Sequence, residues 1–141
     1  MAVVADSGAV FGFYHRLDIA HASLRAAIER EREEIIIPSV CLGEIDYLLR
    51  SRLGSRALLN FLVDVDAGSF SVESVTNEDL RRCAAIIEKH STLNLGLCDA
   101  AVAVIADRLG TDRIFTVDQP DFRVLRTFRG KPYRLLPADL K

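Results

Sequence analysis

The sequence predicts an α/β fold, a central and mostly parallel sheet with helices on its faces, in one domain spanning residues 1–141. Three observations lead there. Short apolar runs, several rich in Val and Ile, recur at residues 2–5, 35–37, 70–75, 114–117 and 133–136. Longer stretches with helical periodicity separate them, which implies crossover connections and so parallel strands. The chain of 141 residues, half of them hydrophobic, is long enough to bury roughly 70% of its unfolded surface in one core.

Taken in order, residues 2–5 read as a buried strand closed by Asp6-Ser7-Gly8, a turn and helix-start signal in which Ser7 is a second capping candidate beside Asp6. A helix covers residues 9–15, and another runs from about residue 18 to 33 with Ile19, Leu24, Ala27 and Ile28 inward. The strand at 35–37 ends at Pro38, and Ser39 is a favoured N-cap for a helix reaching about Arg52. Gly54-Ser55 breaks the chain before a helix over residues 56–65, which Ala67-Gly68 stops. Residues 70–75 alternate as a strand. Thr76, with Asp79 three residues on, forms a capping box with Asp in place of the usual Glu and starts a helix through Glu88. A helix beginning at Leu97 or Asp99 ends at Gly110, a natural C′ residue. Strands over 114–117 and 133–136 complete the pattern.

The formal charge of -2 argues against wholesale coating of nucleic acid, but it averages unlike regions. Acids gather in residues 29–34 and at Asp64, Asp66, Glu73, Glu78 and Asp79. Residues 123–134 carry Arg123, Arg126, Arg129, Lys131 and Arg134 with no acid among them. That tract is an electrostatic footprint for phosphate or a solvated basic face. Cys41, Cys83 and Cys98 are odd in number and form no C-x-x-C pair, so neither zinc nor a disulfide framework is expected. Each reads as a small core residue in a reducing cytosol. No secretory signal is visible, and no stretch approaches the roughly 18 to 20 apolar residues of a membrane span. The reading is a soluble, cytoplasmic chain.

Four acids stand inside or at the edge of apolar segments: Asp6, Glu44, Asp99 and Asp118. A carboxylate taken out of water alone tends to neutralise, pair or bind a cation. With no matching set of buried-looking Lys or Arg, four such acids point to a hard divalent ion, Mg²⁺ or Mn²⁺. Each also has a plainer use. Asp6 could be an N-cap, Asp99 could favour a helix N-terminus, and Asp118 could belong to the turn Asp118-Gln119-Pro120-Asp121. Glu44 could be held by an Arg, although Val40, Cys41 and Leu48 make its own helix face apolar. Asp121 reads as a loop acceptor. Asp6 and Asp118 both end strands, so they are expected to face one cleft beyond the carboxyl ends of the sheet.

In order and placement these motifs resemble the PIN-domain nucleases. That family has an Asp followed by Ser or Thr after the first strand, as in Asp6-Ser7. It has a Glu in the helix after the second strand, as in residues 38–45, and an Asp-Ala pair opening a late helix, as in Asp99-Ala100. A Thr-x-Asp-x-x-Phe element after the fourth strand is matched by residues 116–122. The resemblance covers almost the whole chain and implies an α/β/α sandwich, with a size similar to the VapC-type toxins of bacterial toxin–antitoxin pairs. It implies Mg²⁺- or Mn²⁺-dependent cleavage of RNA, an antitoxin partner that blocks the site, and a homodimer. One departure is that Leu97-Cys98 precede Asp99, where the family often carries a hydroxyl or basic residue.

On that reading Asp6, Glu44, Asp99 and Asp118 are both catalytic residues and ligands of one or two ions, with Asp6 the candidate bridge. Ser7 and Thr116 would orient acids through their hydroxyls. Arg123, Arg126, Arg129 and Lys131 are candidate RNA contacts, with Phe122, Phe128 and Tyr133 available for stacking, although Phe128 and Tyr133 read better as core. His15, His21 and His90 are scattered and fit no motif. An alternative keeps the fold as a non-catalytic RNA-binding or assembly module. An aspartyl-phosphate protein is disfavoured because Gly8 stands where a second Asp is wanted.

Overall fold

The computed structural model describes residues 1–17 and 19–140. Strands β1 (Val3–Ala5), β2 (Ile35–Pro38), β3 (Ser71–Glu73), β4 (Arg113–Phe115) and β5 (Arg134–Leu136) form one sheet in the order β3-β2-β1-β4-β5. Every neighbouring pair is parallel. The chain builds outward from β1 to β3, then crosses back to lay β4 on the other side of β1. Strand order therefore reverses between β1 and β4, the place where such sheets open a crevice at their carboxyl ends.

Among the described residues seven α-helices supply the connections: α1 (Ser7–Tyr14), α2 (His21–Arg30), α3 (Leu42–Arg52), α4 (Ser55–Asp66), α5 (Asn77–Lys89), α6 (Leu97–Leu109) and α7 (Gln119–Val124). Helix α6 packs on β1, β2 and β4 and is covered by α5. Its residues Ala100, Ala101, Val102, Ala103, Val104, Ile105 and Ala106 are all buried, as a helix apolar on every side must be. Small side chains let it approach both layers. Helix α1 packs on α2 and α3, and α3 on α4. Val3, Val4, Ala5, Ile37, Ile114 and Phe115 fill the sheet's share of the core.

Several expected boundaries move. Strands β1, β3, β4 and β5 are shorter than their apolar runs, whereas β2 runs one residue further, through Pro38. Thr76 and Asp79 form the full capping box, and Gly110 ends α6 in the left-handed region at φ 72°. Ser39 is not an N-cap: a 3-10 turn over Ser39–Cys41 precedes α3, and the Ser39 hydroxyl accepts the Val75 N–H at 3.0 Å. Residue 18, the expected start of the second helix, lies outside the described residues. Leu24, Ala27 and Ile28 are buried as expected, but Ile19 is fully exposed in the turn before α2. The turn expected at residues 118–121 continues as α7, with Pro120 in its first turn, where a missing N–H is tolerated.

Candidate functional site

At the crevice between β1 and β4, register brings the first acid and its hydroxyl partner together. Ala5 pairs with Phe115, so Asp6 and Thr116 follow side by side. The Thr116 hydroxyl donates to Asp6 Oδ2 at 2.5 Å, and the Ala9 N–H donates to Oδ1 at 2.7 Å. Asp6 is thus the N-cap of α1, a role Ser7 does not take, while only 3% of the residue is exposed. Burial pushes its carboxyl up to about 7, the two hydrogen bonds pull it down, and Asp99 and Asp118 push it up further.

Asp99 stands in the first turn of α6, half-buried, where Gly96 caps the helix and its backbone N–H bonds back to the carboxylate. Burial and the charges of Asp118, Asp121 and Glu44 raise it to about 6. Asp118 is also raised, by partial burial and by Asp121. One oxygen from each of Asp99, Asp118 and Asp121 lies within 4.8 Å of the others, a spacing that could hold a metal ion. All are hard oxygen donors, which suits Mg²⁺ or Mn²⁺. Asp121 was undervalued in the sequence. Its signal was there: three residues after Asp118, it returns to the same side once the segment turns helical.

Glu44 is exposed, contrary to its apolar setting in the sequence, because Ile45 and Leu49 are the residues α3 turns inward. The Ser7 hydroxyl donates to Glu44 Oε1, and no Arg holds it among the described residues. Asp46 pairs instead with Arg50. Asp118 is exposed as well. Of the four acids, Asp6 alone is deeply buried.

The cysteines correct a second expectation. Cys41 and Cys98 are disulfide-bonded with Cα atoms 5.1 Å apart, and Cys83 is free and buried. The bond ties the turn leading to Glu44 to the residue before Asp99. Pairing across 57 residues has no local sequence signature.

The sequence model of the PIN domain matches residues 3–126. The chain belongs to the PIN-domain family. This PIN domain is 26% identical over 135 residues to Ribonuclease VapC26 of Mycobacterium tuberculosis, covering 96% of the chain and all of that protein. Its fold is similar to that of Mycobacterium tuberculosis VapC20, a sarcin–ricin loop cleaving toxin, at TM-score 0.77 and 17% identity, over 84% of this chain and 91% of that one. It is also similar to a chain of a toxin–antitoxin complex from Klebsiella pneumoniae, at TM-score 0.64 and 14% identity, over 87% and 92%. A chain of VapBC2 from Rickettsia felis, solved with a promoter DNA fragment, aligns at TM-score 0.63 and 12% identity, over 86% and 91%.

The basic tract of this PIN domain divides. Arg123 forms a two-point ion pair with Asp139 at 2.7 and 2.8 Å, and Arg126 donates to the carbonyls of Arg123 and Leu125 at the end of α7. Arg129 and Lys131 are exposed on a turn at the opposite end of α6 from Asp99. Phe122 and Tyr133 are core, whereas Phe128 is 87% exposed, the reverse of the expectation for that residue. A large cavity of about 930 Å³ lies near the amino ends of β2 and β3, away from the acids. Arg16, Arg25 and Arg32 share it with Glu29, Glu31, Glu33, Glu34 and Asp64, so its acids are interleaved with cations. The acid crevice, where neighbouring carboxyls raise one another's proton affinity, is the stronger candidate. Among the described residues no helix is long and apolar enough to cross a membrane.

Proposed function

We propose that this PIN domain is a Mg²⁺- or Mn²⁺-dependent endoribonuclease that hydrolyses RNA phosphodiester bonds as the toxin of a toxin–antitoxin pair. The observation that carries the reading is the cluster of Asp99, Asp118 and Asp121 at the strand switch point, with Asp6 and Glu44 close enough to act on its charges. Asp99, Asp118 and Asp121 would hold the ion. Asp6 and Glu44 would complete the acidic surround, fixed by Thr116 and Ser7. A divalent ion there would acidify water and offset charge developing on the phosphodiester. Asp6 and Asp99 hold protons more tightly than ordinary carboxyls, so they compete best for a cation above about pH 7. A relative named as a VapC ribonuclease supports an RNA substrate, and a neighbour solved in a toxin–antitoxin complex supports an antitoxin partner; the homodimer and the cytoplasmic setting are carried by the family resemblance alone.

The test is cleavage of a labelled RNA pool by wild type and Asp99→Asn, each with Mg²⁺, Mn²⁺ or EDTA. Metal-dependent cutting that Asp99→Asn loses, with its circular dichroism unchanged, is expected. No cutting by the wild type, or cutting that survives EDTA, would sink the reading.

A further inference from the structure

We propose that the Cys41–Cys98 bond is a redox-operated latch on the acid crevice: closed, it fixes Glu44 and Asp99 for a divalent cation, and opened by a dithiol it weakens that hold. The inference rests on the metal-site reading above and adds its regulation.

The placement of the bond is the first argument. Cys41 ends the 3-10 turn Ser39–Cys41, and Glu44 follows three residues later in the first turn of α3. Cys98 is the second residue of α6 and directly precedes Asp99. The bond therefore joins two helix starts that each carry an acid of the crevice. It also reaches a third. Cys98 Sγ lies 3.7 Å from the hydroxyl oxygen of Ser7, which opens α1 and donates to Glu44. A link serving stability alone could tie any two elements of the fold; this one meets three that shape a single site.

Packing converts the state of the bond into geometry. Cys41 is fully buried, and Cys98 is 8% and Ser7 4% exposed. Two unbonded sulfurs need more room than a bonded pair, and a close-packed interior supplies it only by moving backbone. Beyond Asp99 the body of α6 is held by its buried residues 100–106, and α3 is anchored by Ile45 and Leu49. The displacement thus falls on the helix starts, where Asp99 and Glu44 stand. The hydrogen bonding changes too. A bonded sulfur carries no hydrogen, whereas the reduced Cys98 thiol can donate to the Ser7 oxygen and reorient the hydroxyl that holds Glu44.

The exchange balances with the dithiol alone. Its thiolate attacks Cys98 Sγ, the more accessible sulfur, and the S–S bond breaks as Cys41 leaves and takes up a proton. The second sulfur of the dithiol then displaces Cys98, which is protonated in turn, and the reductant closes into its own disulfide. Two electrons and two protons pass to the protein. The oxidised dithiol runs the same steps backward.

The experiment uses the full chain, oxidised and reduced, with Mn²⁺ as the probe. Free thiols are counted after an acid quench and unfolding: Cys83 alone when the bond is closed, and all three cysteines when it is open. Calorimetry is expected to show Mn²⁺ binding about tenfold weaker after reduction, the scale of losing a group that orients a ligand, with circular dichroism unchanged. By reciprocity, saturating Mn²⁺ should shift the equilibrium with dithiothreitol about tenfold toward the bond, or about 30 mV. Asp99→Asn should abolish this shift and Cys83→Ala should keep it. Cys41→Ser/Cys98→Ser should bind Mn²⁺ as the reduced wild type does, with or without dithiol. Equal Mn²⁺ affinity in the two states would overturn the latch and leave the metal site standing. A reduced chain that unfolds, or a shift lost in Cys83→Ala, would overturn it as well. A wild type that binds no Mn²⁺ in either state would remove latch and metal site together. Redox-dependent Mn²⁺ binding without RNA cleavage would keep the latch and remove the nuclease reading.

Discussion

Replacing Asp6 by Asn should make the metal-free protein more stable, and the size of the gain follows from the site. The Asp6 carboxyl rises from 3.8 to about 7, chiefly through burial and then through Asp99 and Asp118. The folded state thus holds this proton more tightly than the unfolded chain does. The resulting stabilisation is fully present below about pH 3.8 and is lost as pH rises through about 7. The total is about 4 kcal/mol, of which roughly 3 falls between pH 5 and 8. Asp99 acts in the same direction, diminished by its contact with solvent. Asn keeps an oxygen for the Ala9 N–H, so the cap survives, and it loses the bond from Thr116, worth about 1 kcal/mol. Near pH 8 the variant should then exceed wild type by about 3 kcal/mol, and near pH 5 the two should nearly coincide. Urea denaturation in EDTA at both pH values measures this. Mn²⁺ at roughly a hundred times its Kd should add about 2.7 kcal/mol to wild type and much less to the variant. A wild type whose stability is flat or rising from pH 5 to 8, with Asp6→Asn weaker throughout, would show Asp6 to be an ordinary cap.

Other consequences are open to direct measurement. Reducing the Cys41–Cys98 bond, or replacing both residues by Ser, should lower stability by about 4 kcal/mol through the 57-residue separation it closes, read as a shift in urea midpoint against the oxidised wild type. A reduced wild type with an unchanged midpoint would rule the bond out as a stabilising link. Gly12→Ala places a methyl 2.5 Å from Leu24 Cδ1 between α1 and α2, so overpacking of about 1 to 3 kcal/mol should outweigh the gain in helix propensity. An unchanged thermal midpoint would mean that Leu24 moves freely aside. Tyr14→Phe removes a 2.5 Å hydrogen bond to Asp64 that joins α1 to α4, with an expected loss of about 1.5 kcal/mol in calorimetry. No loss would mean that water replaces the hydroxyl.

What could be read from the sequence divides by the range of the interaction. The Thr76–Asp79 box and the Gly110 stop depend on neighbours within four residues, and both stand in the structure as the residues imply. Leu24, Ala27 and Ile28 follow one helical period and are buried. Signals set by distant partners were hidden. Nothing near Cys41 names Cys98, and nothing near Ser39 names Val75 as the amide its hydroxyl would bind. Glu44 misled because apolar neighbours in sequence do not fix which side of α3 faces inward; Ile45 and Leu49 do. Phe128 misled for the converse reason, since composition says a Phe belongs inside and only the 127–131 turn places it outside.

The acids can stand together because the fold that displays them does not depend on them. Asp6 and Thr116 are brought side by side by β1–β4 register, which the apolar residues Val4, Ala5, Ile114 and Phe115 enforce from within the core. Asp99 is held at the mouth by a helix whose next seven residues are wholly buried, so its position is set by packing below it. Repulsion from neighbouring acids therefore raises the proton affinities of Asp6, Asp99 and Asp118 without pushing the elements apart. A core that tolerates this repulsion is what a cation site needs before the cation arrives. The same rigidity explains why neutralising one acid should stabilise the metal-free fold while removing its chemistry.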